Sequence, residues 1–272
     1  MDDRGIIPEK LTQVLRNWNK VNKKMNFPKA IYIIPNQNPT GIIYDLERKL
    51  EIYDICREWD LLIIEDDPHF FLQFNEKDPN TGKRKLEKSF LSIDQDKRVI
   101  RVDTFSKFLS SGIRMGFLTT NRVLIDKLSN EVNASCFHPS GLTQITLLKL
   151  FEQWGQEGFD KQVSRVQEQL IERRDKMKQL IDKHLDGLVT YRVPDCGLYY
   201  WIKLNDVECS LKFFRNILHD KKVYLGLGIS HTPNRIKTPY VRVTFSYMDY
   251  EETDIAFKIL SKCLIKEKED KK

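Results

Sequence analysis

Residues 98–107 read Arg98-Val99-Ile100-Arg101-Val102-Asp103-Thr104-Phe105-Ser106-Lys107, and Arg114 follows seven residues after the lysine. The alternating, β-branched part of this stretch predicts a strand over Val99 to Val102. It runs out into two hydroxyls and a lysine. Lysine attacks carbonyls only when its amine is neutral, a form that burial and a neighbouring cation favour. Two hydroxyls and a guanidinium suit a phosphate group. The plain alternative is a solvated lysine in a surface loop.

Upstream, Ala30 to Ile34 is a short apolar run that predicts a buried strand. Asn36-Gln37-Asn38-Pro39-Thr40-Gly41 is turn chemistry. Asp45 opens a helix to about Trp59, and Leu61 to Ile64 is a second buried strand, ending in Glu65-Asp66-Asp67-Pro68. Strand, helix and strand in short succession imply parallel pairing with right-handed crossovers. Ligands of such sheets sit beyond the carboxyl ends of the strands, where Asn38, Asp66 and Lys107 all fall.

Downstream, Met115 to Thr119 is a candidate fourth strand and Arg122 to Val132 a helix. Helices follow at Leu142 to Trp154 and Phe159 to His184, and the pattern then changes. Strands at Leu188 to Val193, Gly197 to Leu204, Val223 to Leu225 and Tyr240 to Phe245 mix with helices from Ser210 to His219 and from Asp249 to Lys266. The expected fold is therefore α/β, with a mainly parallel large domain over 1–165 and a smaller α+β C-terminal domain over 166–272.

The composition is that of a globular chain: 272 residues, 40% hydrophobic, 31% charged. The net charge of +6 comes from 45 basic and 39 acidic residues mixed along the sequence, so a nucleic-acid partner is not expected. No apolar run reaches the ~18–20 residues of a membrane span. The five cysteines are odd in number and dispersed, with no CxxC and no metal spacing, which fits a reduced intracellular compartment. Met1 to Gly5 is acidic and lacks an apolar segment, so no signal peptide is expected. These residues read as an extended lead into a helix from Pro8 to Trp18, as though more chain belonged upstream.

Each strand-end side chain has two readings. Asp66, with no basic neighbour in sequence, needs a partner such as a protonated ring nitrogen if buried, or is a cap or loop carboxylate. Asp67 is expected to be the exposed member of the pair. Asn38 offers an amide beside Pro39, or is an ordinary turn residue. Arg242, between β-branched neighbours, matches a carboxylate or forms a structural ion pair. Gly226-Leu227-Gly228 lacks the third glycine and the helix of a dinucleotide fingerprint.

Taken together, Asn38-Pro39-Thr40-Gly41, Glu65-Asp66-Asp67-Pro68, Ser106-Lys107 with Arg114, and Arg242 resemble the fold-type I pyridoxal-phosphate aminotransferases. The resemblance is closest to the branch of α-aminoadipate/kynurenine and fungal aromatic aminotransferases. Phe71 to Phe74, Ser110 to Thr119, His138-Pro139-Ser140 and Trp154 to Phe159 extend it over nearly the whole chain. It implies transamination between an aromatic, kynurenine or α-aminoadipate type of amino acid and a 2-oxo acid such as 2-oxoglutarate, in a homodimer. By the same resemblance, Lys107 carries pyridoxal 5′-phosphate and moves the substrate proton. Asp66 pairs with the ring nitrogen and Asn38 with the phenolic oxygen. Thr104, Ser106 and Arg114 hold the phosphate, and Arg242 takes the α-carboxylate.

Two departures from the family stand out. His69 replaces the tyrosine that usually donates to the phenolic oxygen, so the resemblance implies that role for His69. The match also begins at the middle of the family's large domain. The glycine/serine phosphate loop and the ring-stacking aromatic belong upstream of that point, and exposed sheet edges are expected. A non-catalytic product that dimerises with or regulates a complete paralogue, and a lyase or synthase on the same scaffold, are the alternative readings. The compartment is expected to be the cytoplasm or the mitochondrion.

Overall fold

The computed structural model describes residues 1–22, 24–215 and 219–270. It groups into two compact units: 1–37 with 42–167, and 38–41 with 168–272.

The first unit is built on a four-stranded sheet. Strands β1 (Ala30–Ile33), β2 (Leu62–Asp66), β3 (Val99–Thr104) and β4 (Gly116–Thr119) are adjacent in that order. The first three are parallel, and β4 returns antiparallel to β3. Gly116 opposes Thr104, and a Cβ there would lie 2.6 Å from the Asp103 carbonyl oxygen, so the close return needs glycine. Helices α1 (Pro8–Arg16) and α2 (Trp18–Val21) precede the sheet. Helix α3 (Leu46–Glu58) makes the crossover from β1 to β2. Its N-cap is Asp45, whose carboxylate accepts the Arg48 N–H at 2.8 Å. Ile52, Tyr53 and Cys56 of α3 pack against Ile33, Ile63 and Val99 to form the core.

After β4 come α4 (Arg122–Ser135) and α5 (Gly141–Leu185). Helix α5 is two helices joined at Gly155, whose φ of 55° and ψ of −166° break the spiral. The break falls between the two helices expected from the sequence. It lets Phe151 and Phe159 reach one aromatic cluster, with ring centroids 6.0 Å apart.

The second unit holds an antiparallel sheet of β5 (Val189–Tyr191), β6 (Tyr199–Leu204), β7 (Gly226–Leu227) and β8 (Tyr240–Thr244), in the order β5-β6-β8-β7. Helix α6 (Ser210–Phe213) falls between β6 and β7 in sequence, and the long α7 (Tyr250–Glu269) follows β8. The strand expected over Val223 to Leu225 is displaced to Gly226–Leu227. There the backbone lies close to its partner, with a Cβ on Gly226 only 3.0 Å from the Arg242 carbonyl oxygen. Part of the helix expected from Ser210 to His219 lies outside the described residues. Among the described residues, no helix is long and apolar enough to cross a membrane, and no group of side chains forms a metal site.

Candidate active site

Three of the expected site residues come together where β3 ends in the first unit. Thr104 is the last residue of β3, and its Oγ1 lies 3.0 Å from Ser106 Oγ and 3.2 Å from the Met115 carbonyl oxygen. The Ser106 backbone N–H donates to Thr104 Oγ1 at 3.1 Å, which curls the chain at this point. Arg114 Nη1 lies 3.5 Å from Ser106 Oγ and donates to the Ser111 carbonyl at 3.2 Å. Arg114 takes a left-handed conformation, φ 51°, sparsely populated by residues other than glycine. Two hydroxyls and a guanidinium thus converge beside Lys107.

Lys107 is half-buried and sits between two anchored phenylalanines. The Phe105 ring lies 5.4 Å from Phe117 and 5.6 Å from Phe151. The Phe108 ring lies 4.9 Å from Phe71 and 5.6 Å from Phe159. Aromatic pairs of this kind contribute about 0.5–1.5 kcal/mol each beyond their buried area. The lysine-bearing turn is therefore pinned on both sides. Gln162 adds a hydrogen bond from Nε2 to the Phe108 carbonyl at 3.1 Å. The sequence reading did not assign this platform, although the spacing of Phe105 and Phe108 around Lys107 was its signal.

On the neighbouring strand, Asp66 closes β2 and is half-buried. Its Oδ2 accepts a hydrogen bond from the Tyr32 hydroxyl. The expectation that Asp67 is the exposed member of the pair is wrong. Asp67 is 2% exposed, because alternation along β2 turns Ile63, Glu65 and Asp67 to the core and Ile64 and Asp66 to the other face.

His69, which the resemblance pairs with the phenolic oxygen, lies on the core side of the same strand end. Its ring is 1% exposed, and its Nδ1 lies 3.3 Å from the Asn36 carbonyl oxygen. A carbonyl can only accept, so Nδ1 carries the proton and donates. Turned inward in this way, His69 braces the strand end through Asn36.

Asn38 and Arg242 both belong to the second unit and meet there. Arg242 Nη1 donates to Asn38 Oδ1 at 3.0 Å across 204 residues of sequence. The guanidinium also stacks on the Tyr199 ring, 4.1 Å from its centroid, a contact worth about 0.5–2 kcal/mol. Held on two sides, the guanidinium is half-buried and oriented. It lines a cavity of about 700 Å³ together with Tyr199, Tyr224, Gly226, Thr244 and Tyr247.

The family model Aminotransferase class I and II matches residues 2–260. An aromatic amino acid aminotransferase of Dictyostelium discoideum is 59% identical over 266 residues, covering 97% of this chain and 55% of that protein. The mitochondrial kynurenine/α-aminoadipate aminotransferase of Bos taurus is 40% identical over 98% of this chain and 62% of its own length. The crystal structure of an aromatic aminotransferase from C. albicans superposes with a TM-score of 0.87 at 27% identity, over 97% of this chain and 62% of that one. The chain thus spans little more than half the length of the curated relatives it matches. On the match over residues 2–260, the chain belongs to the class I and II aminotransferase family.

Proposed function

We propose that this chain carries the lysine-bearing part of a pyridoxal 5′-phosphate-dependent aminotransferase. Its substrates are an aromatic, kynurenine or α-aminoadipate type of amino acid and a 2-oxo acid such as 2-oxoglutarate. The observation that carries the proposal is the convergence of Thr104, Ser106 and Arg114 beside Lys107, with Asp66 on the adjacent strand end. The residues present fit the group. Hydroxyl and guanidinium donors suit a phosphate. Asp66 already accepts one donor on its Oδ2, the chemistry a protonated ring nitrogen requires. When bound, pyridoxal phosphate supplies an electron sink for a carbanion at the amino acid's Cα.

The chain's own residues would do the rest. Lys107 would hold the group through its Nζ amine and would move the proton at the substrate Cα. Asp66 would keep the ring nitrogen protonated by accepting its N–H. Thr104, Ser106 and Arg114 would hold the phosphate. Asn38 orients Arg242 through its Oδ1 and gives an amide N–H to the phenolic oxygen. Arg242 binds the α-carboxylate.

The proposal includes a large domain over 1–165 and a small one over 166–272. It also includes a homodimer. Exposed apolar side chains on α4, the start of α5 and the connection between them, such as Val123, Phe137, Leu142 and Ile145, support association. The compartment would be intracellular, in the cytoplasm or the mitochondrion, which suits cysteines that are free among the described residues.

Pyridoxal phosphate added to the purified chain should give a visible absorbance band that Lys107→Ala abolishes. Folded protein with no such band would overturn the proposal. Amino-group transfer from tryptophan, kynurenine and α-aminoadipate to 2-oxoglutarate then ranks the substrates.

A further inference from the structure

Beneath the candidate site, on the core face of the first sheet, lies a cluster of buried charges that the proposed chemistry does not use. Glu65 from β2, Asp67 immediately after it, Arg101 and Asp103 from β3, and Lys49 from α3 are all buried, and Asn36, past the end of β1, closes the group. That is three carboxylates against two cations, in a region with almost no access to water. Burying an unpaired charge costs several kcal/mol, so such a group takes up a proton instead.

The partners decide which carboxylate holds it. Asp103 is paired with Arg101 through two bonds of 2.8 Å. Glu65 accepts the backbone N–H groups of Phe90 at 2.8 Å and Leu91 at 3.1 Å, and lies 3.3 Å from Arg101 Nη1. Asp67 is left with the weakest share of the guanidinium, at 3.7 Å. Among the described residues its neutral side-chain partner is the Asn36 amide, whose Nδ2 reaches both carboxyl oxygens, at 2.8 and 2.9 Å. Lys49 spends a bond of 2.6 Å on the Lys88 carbonyl, and burial pushes its amine down. The same Asn36 amide carries an oxygen, Oδ1, that is buried with no hydrogen-bond partner. A carboxylate cannot satisfy that oxygen, because it has no proton to give. A carboxylic acid can.

We infer that Asp67 is held as a neutral carboxylic acid, pairing with Asn36 through O–H to Oδ1 and Nδ2–H to the carboxyl oxygen, and that this pair is the positioning element of the β2 strand end. Asn36 then holds two points of that corner. Its side chain holds Asp67, and its carbonyl accepts from His69 Nδ1 at 3.3 Å. Asp66, the neighbour of Asp67 in sequence, projects from the other face of the strand so fixed. Burial pushes the Asp67 carboxyl up to about 7, with Asn36, Arg101 and Lys49 opposing and Glu65 assisting.

The pH dependence follows from that direction. The native state binds a proton that the unfolded chain, with an ordinary aspartate, releases at lower pH. Stability from this group is therefore full in acid and falls as the pH rises from about 4 towards about 7. The inference stands on the buried cluster alone, so a failure to bind pyridoxal phosphate would leave it untouched.

The test is infrared difference spectroscopy of the full chain between pH 5 and pH 8. The expected result is the carbonyl stretch of a protonated carboxyl group, lost with a midpoint near neutrality, absent in Asp67→Asn and retained in Glu65→Gln and Asp103→Asn. Asp67→Asn, a neutral isostere, should also flatten the fall of melting temperature over that interval. No such band in the wild-type chain would overturn the inference. A band that survives Asp67→Asn, or disappears in Glu65→Gln instead, would overturn it as well. If Asp67→Asn does not fold, the wild-type titration and the two comparison variants still decide.

Discussion

The two faces of β2 and β3 handle polar groups in opposite ways. On the core face, Glu65, Asp67, Arg101 and Asp103 are buried and mostly spend their bonds on one another or on nearby backbone. On the other face, Asp66 and Thr104 are only half-buried and head towards the lysine-bearing turn. Both faces belong to the same residues of sequence, offset by one. The core face builds a rigid support from charge that solvent cannot reach. The other face keeps its carboxylate and hydroxyls at the surface, where a ligand can use them.

The largest change should come from breaking the support. Arg101→Leu leaves three buried carboxyl groups facing one buried lysine and removes a guanidinium stacked 4.4 Å from the Phe70 ring centroid. A loss of about 3–5 kcal/mol in urea unfolding is expected. A change below ~1 kcal/mol would mean the core-face cluster is not a support. On the other face, Asp66→Ala should leave unfolding within about 0.5 kcal/mol of wild type. It should weaken pyridoxal phosphate binding roughly 10- to 100-fold, the worth of a hydrogen bond to a charged group, as read by absorbance titration. Equal stability losses at both positions would erase the distinction between the faces. A third change acts at the kink that joins the two parts of α5. A Cβ at Gly155 meets nothing within 4 Å, so Gly155→Ala carries only the cost of a backbone conformation open essentially to glycine, φ 55° and ψ −166°, about 1–3 kcal/mol in thermal unfolding.

Much of this was legible in the sequence, for physical reasons that differ between elements. The apolar runs before Asn36, Glu65 and Asp103 are short, β-branched and bounded by turn residues, so strands and their parallel order follow from pattern. Lys107, Thr104, Ser106 and Arg114 are close in sequence, and local geometry was enough to gather three of them. Asn38 and Arg242 are 204 residues apart, and only tertiary folding could join them.

The reading failed at Asp67, because chemical type was weighed above strand parity. An acidic pair at a strand end suggests exposure, yet the alternation already visible in Ile63 and Ile64 sends its two members to opposite faces. His69 shares the parity of Asp67, and its Nδ1 lies towards the Asn36 carbonyl. The displaced strand at Gly226–Leu227 was missed because glycines carry little strand propensity.

The central claim is that Lys107 is the residue the site is built around. It is tested most directly by incubating the chain with pyridoxal phosphate, reducing with borohydride and locating the modified lysine by peptide mass spectrometry. The account predicts one dominant adduct, on Lys107, that excess inorganic phosphate suppresses by competing for Thr104, Ser106 and Arg114. Label spread over exposed lysines, with Lys107 no more modified than the rest, would contradict it.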